Sequence, residues 1–229
     1  MAPLKDDCFA HSDEMTPLEV ALDELERTIE PVVGIETVPL RDALSRVLAE
    51  EVTSDRNVPP HDNSAVDGYA VFYDDVSGEG DIRLAMGGRI AAGHPLEGAA
   101  ERGKAYRIFT GAPMPEGPDT IYMQEDARED GDAVILPAGI KQGANRRFKA
   151  EDVAEGAVIL EPGKRLRAQE IGLAASVGRS ELKVYQPLKV AVFSTGDEIR
   201  DPSGDAPAGC IYDANRFTVM GMLERLGAE

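Results

Sequence analysis

Tryptophan is absent from this 229-residue chain, and the residues that build metal and redox centres are scarce: 2 cysteines and 3 histidines. Cys8 and Cys210 stand alone and far apart, so they form neither a zinc knuckle nor a paired redox motif, and reduced thiols in a cytosol are expected. His11, His61 and His94 share no ligand spacing, which favours surface or packing roles over metal binding. No apolar run approaches the ~20 residues that a membrane-spanning helix needs. Positive charge is short as well, with 24 Lys and Arg against 42 Asp and Glu, for a formal net charge of −18. That balance argues against nucleic acid and anionic membranes as general partners, and for a soluble protein. Residues 1–15 are polar and acidic and lack the apolar core of a secretory signal. They read as a disordered tail, and export is not expected.

What is present changes texture along the chain. Thr16-Pro17-Leu18-Glu19 predicts a helix start, with Thr16 as N-cap, Pro17 in the first turn and Glu19 closing a capping box. Leu18, Leu22, Leu25 and Ile29 follow at helical spacing until Pro31. Ile35 to Val38 reads as a strand and Arg41 to Glu50 as a second helix. From Pro59 to about Leu136, short β-like runs (Tyr69–Tyr73, Ile82–Met86, Ala105–Thr110, Thr120–Met123, Ala133–Leu136) alternate with Gly, Pro and Asp clusters, the pattern of a compact barrel or sandwich. Gln169 to Val177 predicts a helix ending near Gly178. Leu188 to Ser194 is nearly all apolar, as a strand buried on both faces would be. Asn215 then reads as the cap of a helix closed by Gly227, giving the first half of a βαβ unit whose second strand would start where the chain stops.

Chemistry concentrates in a few places. The run Pro59-Pro60-His61-Asp62-Asn63-Ser64-Ala65-Val66-Asp67-Gly68 packs two carboxylates, an amide and a hydroxyl before a strand. It reads equally as a hairpin turn with Asx-type hydrogen bonds or as a rigid site for a cation or polar ligand. Lys141, Arg146, Arg147 and Lys149 fall in nine residues without an acid, which suits oxyanion binding; charge alone favours a solvated loop balancing Glu151, Asp152 and Glu155. Thr110, before Gly111-Ala112-Pro113, offers a hydroxyl and adjacent backbone N–H groups to an oxyanion or water, or else closes the strand as an ST-turn. Asp197 and Glu198 follow the apolar run 188–194, at the sheet edge where α/β folds bind ligands, and can hold a divalent cation such as Mg²⁺. Asp213 and Asn215 can face the same crevice. No nucleophile with a base partner is apparent.

Five stretches in order resemble the molybdopterin molybdenumtransferases, the MoeA family, to which the E domain of gephyrin is related. They are residues 59–71, Arg107 to Pro113, Asn145 to Asp152, Phe193 to Glu198 and Ile211 to Arg216, and the likeness runs from about residue 16 to the end. The resemblance implies an enzyme that hydrolyses the adenylate of adenylated molybdopterin and inserts molybdate between its dithiolene sulfurs, with Mg²⁺ as cofactor. It places Asp67, Thr110, Arg147, Asp152 and Glu198 in catalysis, and Asp62, Asn63, Ser64, Arg146, Lys149 and Asp213 in substrate binding; the metal ligands stay unassigned. Phe148 and Ala150 depart from the family, whose members often carry Arg and Gly there. The implied fold is α/β and β multidomain. A mixed α/β domain (16–58 with 151–187) would carry an inserted β-barrel-like module (59–150), followed by the truncated start of a pterin-binding βαβ domain (188–229). The resemblance further implies a cytoplasmic homodimer that works with molybdopterin adenylyltransferase, and a chain that is inactive alone because the family's later motifs are missing. Two alternatives stand beside it: a non-catalytic scaffolding protein on the same fold, and a molybdopterin adenylyltransferase.

Overall fold

A computed structural model describes residues 16–229; the expected tail 1–15, with Cys8 and His11, lies outside the described residues. In chain order the elements begin with α1 (Leu18–Thr28), β1 (Ile35–Pro39), β2 (Val52–Thr53), β3 (Asn63–Ser64), β4 (Gly68–Val71), β5 (Ile82–Ile90) and β6 (Lys104–Ile108). There follow β7 (Thr120–Met123), β8 (Arg128–Asp130), β9 (Ala133–Leu136), β10 (Arg146–Arg147), β11 (Val158–Leu160) and α2 (Ala168–Ser176). The last are β12 (Glu181–Tyr185), β13 (Ile199–Arg200), β14 (Ile211–Tyr212) and α3 (Ala214–Leu226). They form two compact units, Thr37–Val184 and the described residues 16–36 with 185–229. No helix among the described residues is long and apolar enough to cross a membrane.

Within Thr37–Val184, six strands form one mixed sheet in the order β7-β4-β6-β5-β9-β8, with β5 and β6 its parallel pair. Alternation along the strands sends Tyr69, Val71, Tyr122, Val134 and Leu136 to one apolar cluster, and Ala70, Tyr106, Ile108 and Ile121 to another. All four residues of β4 are buried, as a central strand covered on both faces requires. Gly68 owes its identity to this crowding: a Cβ there would sit 1.8 Å from the Tyr122 carbonyl oxygen. All five predicted β-runs lie in this sheet. It does not close as a barrel, because β7 and β8 remain its edges.

A separate cluster gathers Val38, Ala43, Leu48 and Val52 with Leu160, Leu166, Ala174, Leu182 and Val184, from the two ends of the same unit. The predicted helix 41–50 does not form; a single 3-10 turn at Leu40–Asp42 is followed by irregular chain. Ser45 turns to φ 66°, and the N–H groups of Ser45, Leu48 and Ala49 donate to the carbonyls of Leu166, Lys164 and Lys183. Tertiary hydrogen bonds and complete burial of Leu48 therefore override a weak local helical preference. α2 forms as expected. Its Glu170 carboxylate accepts from the Arg167 backbone N–H and pairs with the Arg167 guanidinium, which holds its acid at about 2.

In the other unit, α1 starts one residue later than predicted: Pro17 is the N-cap and makes no side-chain cap bond, so Thr16 closes no capping box. α3 is capped by Asp213, whose carboxylate accepts from the Arg216 N–H, and not by Asn215. It ends on left-handed Gly227, as expected. Residues 188–194 form no strand, because a strand exists only through a ladder partner; among the described residues their backbone bonds run from Val190 N–H to the Glu229 carbonyl and from Glu229 N–H to the Leu188 carbonyl. The strand pair in this unit is β13–β14, parallel, with Ile199 opposite Ile211.

Leu48 is fully buried and joins segments more than a hundred residues apart. Leu48→Ala should lower unfolding stability by about 2–5 kcal/mol, read as a shift in the urea midpoint at unchanged slope. A loss under about 1 kcal/mol would show that this cluster is not a stabilising core.

Candidate functional site

Three stretches singled out in the sequence are laced together in the unit Thr37–Val184. β3 lies at the centre. On one side it pairs antiparallel with β10, Ser64 opposite Arg146 and Asn63 opposite Arg147. On the other side it meets the Pro-rich loop: Gly111 N–H donates to the Ser64 carbonyl (2.9 Å), Ser64 N–H to the Ala112 carbonyl (3.0 Å) and Met114 N–H to the Asp62 carbonyl (2.8 Å). Prolines 59, 113, 115 and 118 stiffen these loops, and cross-bonding makes them a scaffold.

Two carboxylates lock the ends of the lacing. Asp62 accepts from the Lys149 backbone N–H (2.7 Å) and from the Arg146 guanidinium. The Lys149 N–H is the main reason its acid lies below the ordinary value of 3.8, with the Arg146 charge adding to it. Asp67 Oδ1 accepts from both the backbone N–H and the hydroxyl of Thr110, each at 2.8 Å. Those two bonds, the N–H first, lower the pKa of Asp67, helped by the Arg107 charge.

This clamp changes the expected role of Thr110. Its own N–H is engaged by Asp67, Gly111 N–H by Ser64 and Ala112 N–H by the Phe109 carbonyl, so the backbone offers no oxyanion nest. With its proton committed to Asp67, the hydroxyl oxygen of the exposed Thr110 can act only as an acceptor toward a ligand. Ser64 also departs from expectation. It is 1% exposed and its hydroxyl donates to the Val66 carbonyl, so it shapes the turn and presents nothing to a ligand.

The basic loop is more neutral than its sequence suggests. Arg146 pairs with Asp62, and Arg147 pairs with Asp152 (2.6 Å) and Glu151 (3.3 Å), all partly exposed. Folding thus brings Arg147 and Asp152 together as partners. Asn63 Oδ1 and Arg146 Nε are buried without hydrogen-bond partners in this ladder, a polar gap in an otherwise satisfied turn. Ala150 adopts φ 65° while its N–H donates to the Pro59 carbonyl, a left-handed conformation natural to glycine.

The remaining two residues lie in the other unit. Asp213 is 5% exposed and engaged as the α3 cap and with Arg216 Nε (3.3 Å). Glu198 is exposed, its carbonyl accepting from the Ile211 N–H (2.8 Å). Gly196, at φ 148°, leaves room for that side chain, since a Cβ would lie 2.6 Å from Glu198 Oε2. No cluster of three or more metal-ligating side chains exists among the described residues. The donor set Asp197 and Glu198 fits only an ion that completes its shell with water and phosphate oxygens, as Mg²⁺ does.

Sequence reasoning missed Arg107 as part of this site. Its guanidinium donates to the Gly68 carbonyl (3.0 Å) and to Gln124, and lies over the rings of Tyr69 (5.1 Å) and Phe109 (4.7 Å). Strand alternation from Arg107 to Phe109 was the available signal.

A β-rich module whose cross-bonded loops present an Asp–Thr clamp defines a ligand-site scaffold, and comparison shows whose. Residues 16–178 match the family described as MoeA N-terminal region (domain I and II), and the chain belongs to it. It is 42% identical over 195 residues to the molybdopterin molybdenumtransferase of Haemophilus influenzae, covering 85% of this chain and 48% of the relative. The enzyme of the same name from Nostoc sp. is 38% identical over 197 residues, covering 85% and 45%. The crystal structure of the molybdopterin biosynthesis moeA protein from Pyrococcus horikoshii OT3 superposes with a TM-score of 0.85 at 32% identity, over 94% of this chain and 58% of that one. The chain spans about half the length of the curated relatives it matches.

Two outcomes follow from this geometry. Because the folded pKa of Asp62 lies below 3.8, its stabilisation is present above that value and is lost as pH falls through the folded value. Asp62→Asn should therefore be less stable than the parent by about 1–2 kcal/mol near neutral pH, with the gap closing as pH falls below 3.8 through the folded pKa; a gap independent of pH would refute the assignment. Ala150→Gly should relieve the left-handed strain and raise stability by up to about 1 kcal/mol in chemical denaturation; a loss would show that the strain is already accommodated.

Proposed function

We propose that the protein inserts molybdenum into adenylated molybdopterin, hydrolysing the adenylate, in molybdenum cofactor biosynthesis. The observation that carries this reading is the joining of the family-like stretches 62–67, 110–114 and 145–152 into one rigid site within a MoeA-type fold. The names of the relatives support the same pathway step. Acceptor oxygens on Thr110 and Asp67 suit a water held for attack at phosphorus. Water oxygen bonds to phosphorus, the anhydride P–O bond breaks, and AMP leaves. Lys149, with the ion-paired Arg147 behind it, supplies positive potential for the anionic substrate, and Asp152 keeps Arg147 in place. Asp197 and Glu198 would hold Mg²⁺ together with substrate phosphate oxygens, and the ion would supply Lewis-acid charge neutralisation when bound.

This reading includes a cytoplasmic homodimer that receives its adenylated substrate from a molybdopterin adenylyltransferase, and a division into a discontinuous α/β domain, an inserted module and the start of a pterin-binding domain. The 229 residues alone would be inactive. Membership of the MoeA family over residues 16–178 argues against the adenylyltransferase alternative.

The test is Asp67→Asn in a full-length protein. Releasing Thr110 while preserving shape should cut molybdate-dependent cofactor formation about 100-fold, as misplacement of a positioned group does, with the melting temperature within about 2–4 °C of the parent. Parental activity would reduce Asp67 to a turn former and remove the proposed mechanism.

A further inference from the structure

Beside the clamp lies a cationic pair that the proposed mechanism does not use. Arg89 on β5 stands opposite Arg107 on β6, and both guanidiniums lie against the Phe109 ring, at 4.6 and 4.7 Å from its centroid. Like charges directly opposite in a ladder are unfavourable, by about 0.2–1 kcal/mol. Among the described residues neither guanidinium has a carboxylate within ion-pair distance, and the Asp67 carboxylate only feels the Arg107 charge without pairing with it. Arg83, Arg102, Arg146, Arg147, Arg179 and Arg216, by contrast, pair with carboxylates. Arg107 is fixed by its bonds to the Gly68 carbonyl and Gln124. Arg89 is exposed, and among the described residues its guanidinium makes the ring contact without a hydrogen bond or ion pair, which leaves its donors available.

We propose that Arg89 and Arg107 form a phosphate-binding subsite, with Phe109 as the platform that keeps the two guanidiniums side by side. A cation held on a ring at an exposed site gains only about 0.5–1 kcal/mol, so stacking positions these groups without neutralising them. Planar guanidinium forks match the oxygens of a phosphate, and a dianion between two of them satisfies donors that water otherwise covers. Location adds to this: Phe109 directly precedes Thr110, so a phosphate bound here sits one residue from the Asp67–Thr110 clamp. The subsite rests on the proposed function only for which phosphate-bearing substrate it serves. Binding of a simple phosphate compound does not depend on that.

The experiment is calorimetric titration of the 229-residue protein with inorganic pyrophosphate at low ionic strength, together with Arg89→Ala, Arg89→Lys and, as a charge-matched control in the same unit, Arg41→Ala. We expect saturable binding by the parent, weakened about tenfold in Arg89→Ala and partly restored in Arg89→Lys, with Arg41→Ala within about twofold of the parent. Chemical-shift changes of the Phe109 ring on titration should disappear in Arg89→Ala, a readout that a purely structural stacking role would not move. Raising salt to about 0.15 M should weaken binding, as screening of exposed charges requires. No binding by the parent, or equal loss in Arg89→Ala and Arg41→Ala, would overturn the proposal. Parental pyrophosphate binding in the Asp67→Asn chain would keep the subsite separate from the fate of the proposed mechanism.

Discussion

Backbone lacing of residues 62–64 is the constraint on which the rest of the site depends. Without it, three loops rich in Pro, Gly and polar side chains would each meander over the sheet. Hydrogen bonds to the 111–114 loop on one side and β10 on the other turn them into one surface, and a carboxylate closes each end. Asp62 and Asp67 hold backbone N–H groups before they meet any ligand, which is why their acidity is shifted in the direction of the charged form. Fold and site thus share the same hydrogen bonds.

Charge sets the second theme. A chain with 42 acids and 24 bases keeps positive potential only where acids are geometrically excluded. In the basic loop they are not excluded: Arg146 and Arg147 are each matched to carboxylates, so the density of Lys and Arg in sequence overstates the free charge. Around Phe109, by contrast, no carboxylate among the described residues pairs with Arg89 or Arg107, although Asp67 feels the Arg107 charge. Arg89 and Arg107, eighteen residues apart in a stretch with no evident basic cluster, are two cations without an ion-pair partner among the described residues that share one ring.

The sheet strands were the most readable elements. Short apolar runs bounded by Gly, Pro and Asp announced β4, β5, β6, β7 and β9, because a strand buried on both faces leaves little freedom in residue type. Helix α2 and the Gly227 stop were equally clear from local grammar. Residues 41–50 misled, since helical spacing of Ala43, Leu44, Val47 and Leu48 meant less than the carbonyls awaiting their N–H groups across the unit. Asn215 misled for a smaller reason: Asp213, two residues earlier, is an equally good cap and also meets Arg216.

By itself the sequence determined the β-rich middle of the chain, the scarcity of metal-binding and redox residues, and the family to which the ordered motifs belong. These follow from local periodicity, composition and motif order, which need no partner to be read. Tertiary structure alone decided which motifs share a site, that Ser64 and Asp213 are engaged in turn and cap, that Thr110 offers acceptors and not donors, and that Arg89 and Arg107 stand side by side. Each of those is a question of which groups already have partners. Hydrogen-bond and ion-pair partners separated by tens of residues are chosen only when the chain is folded.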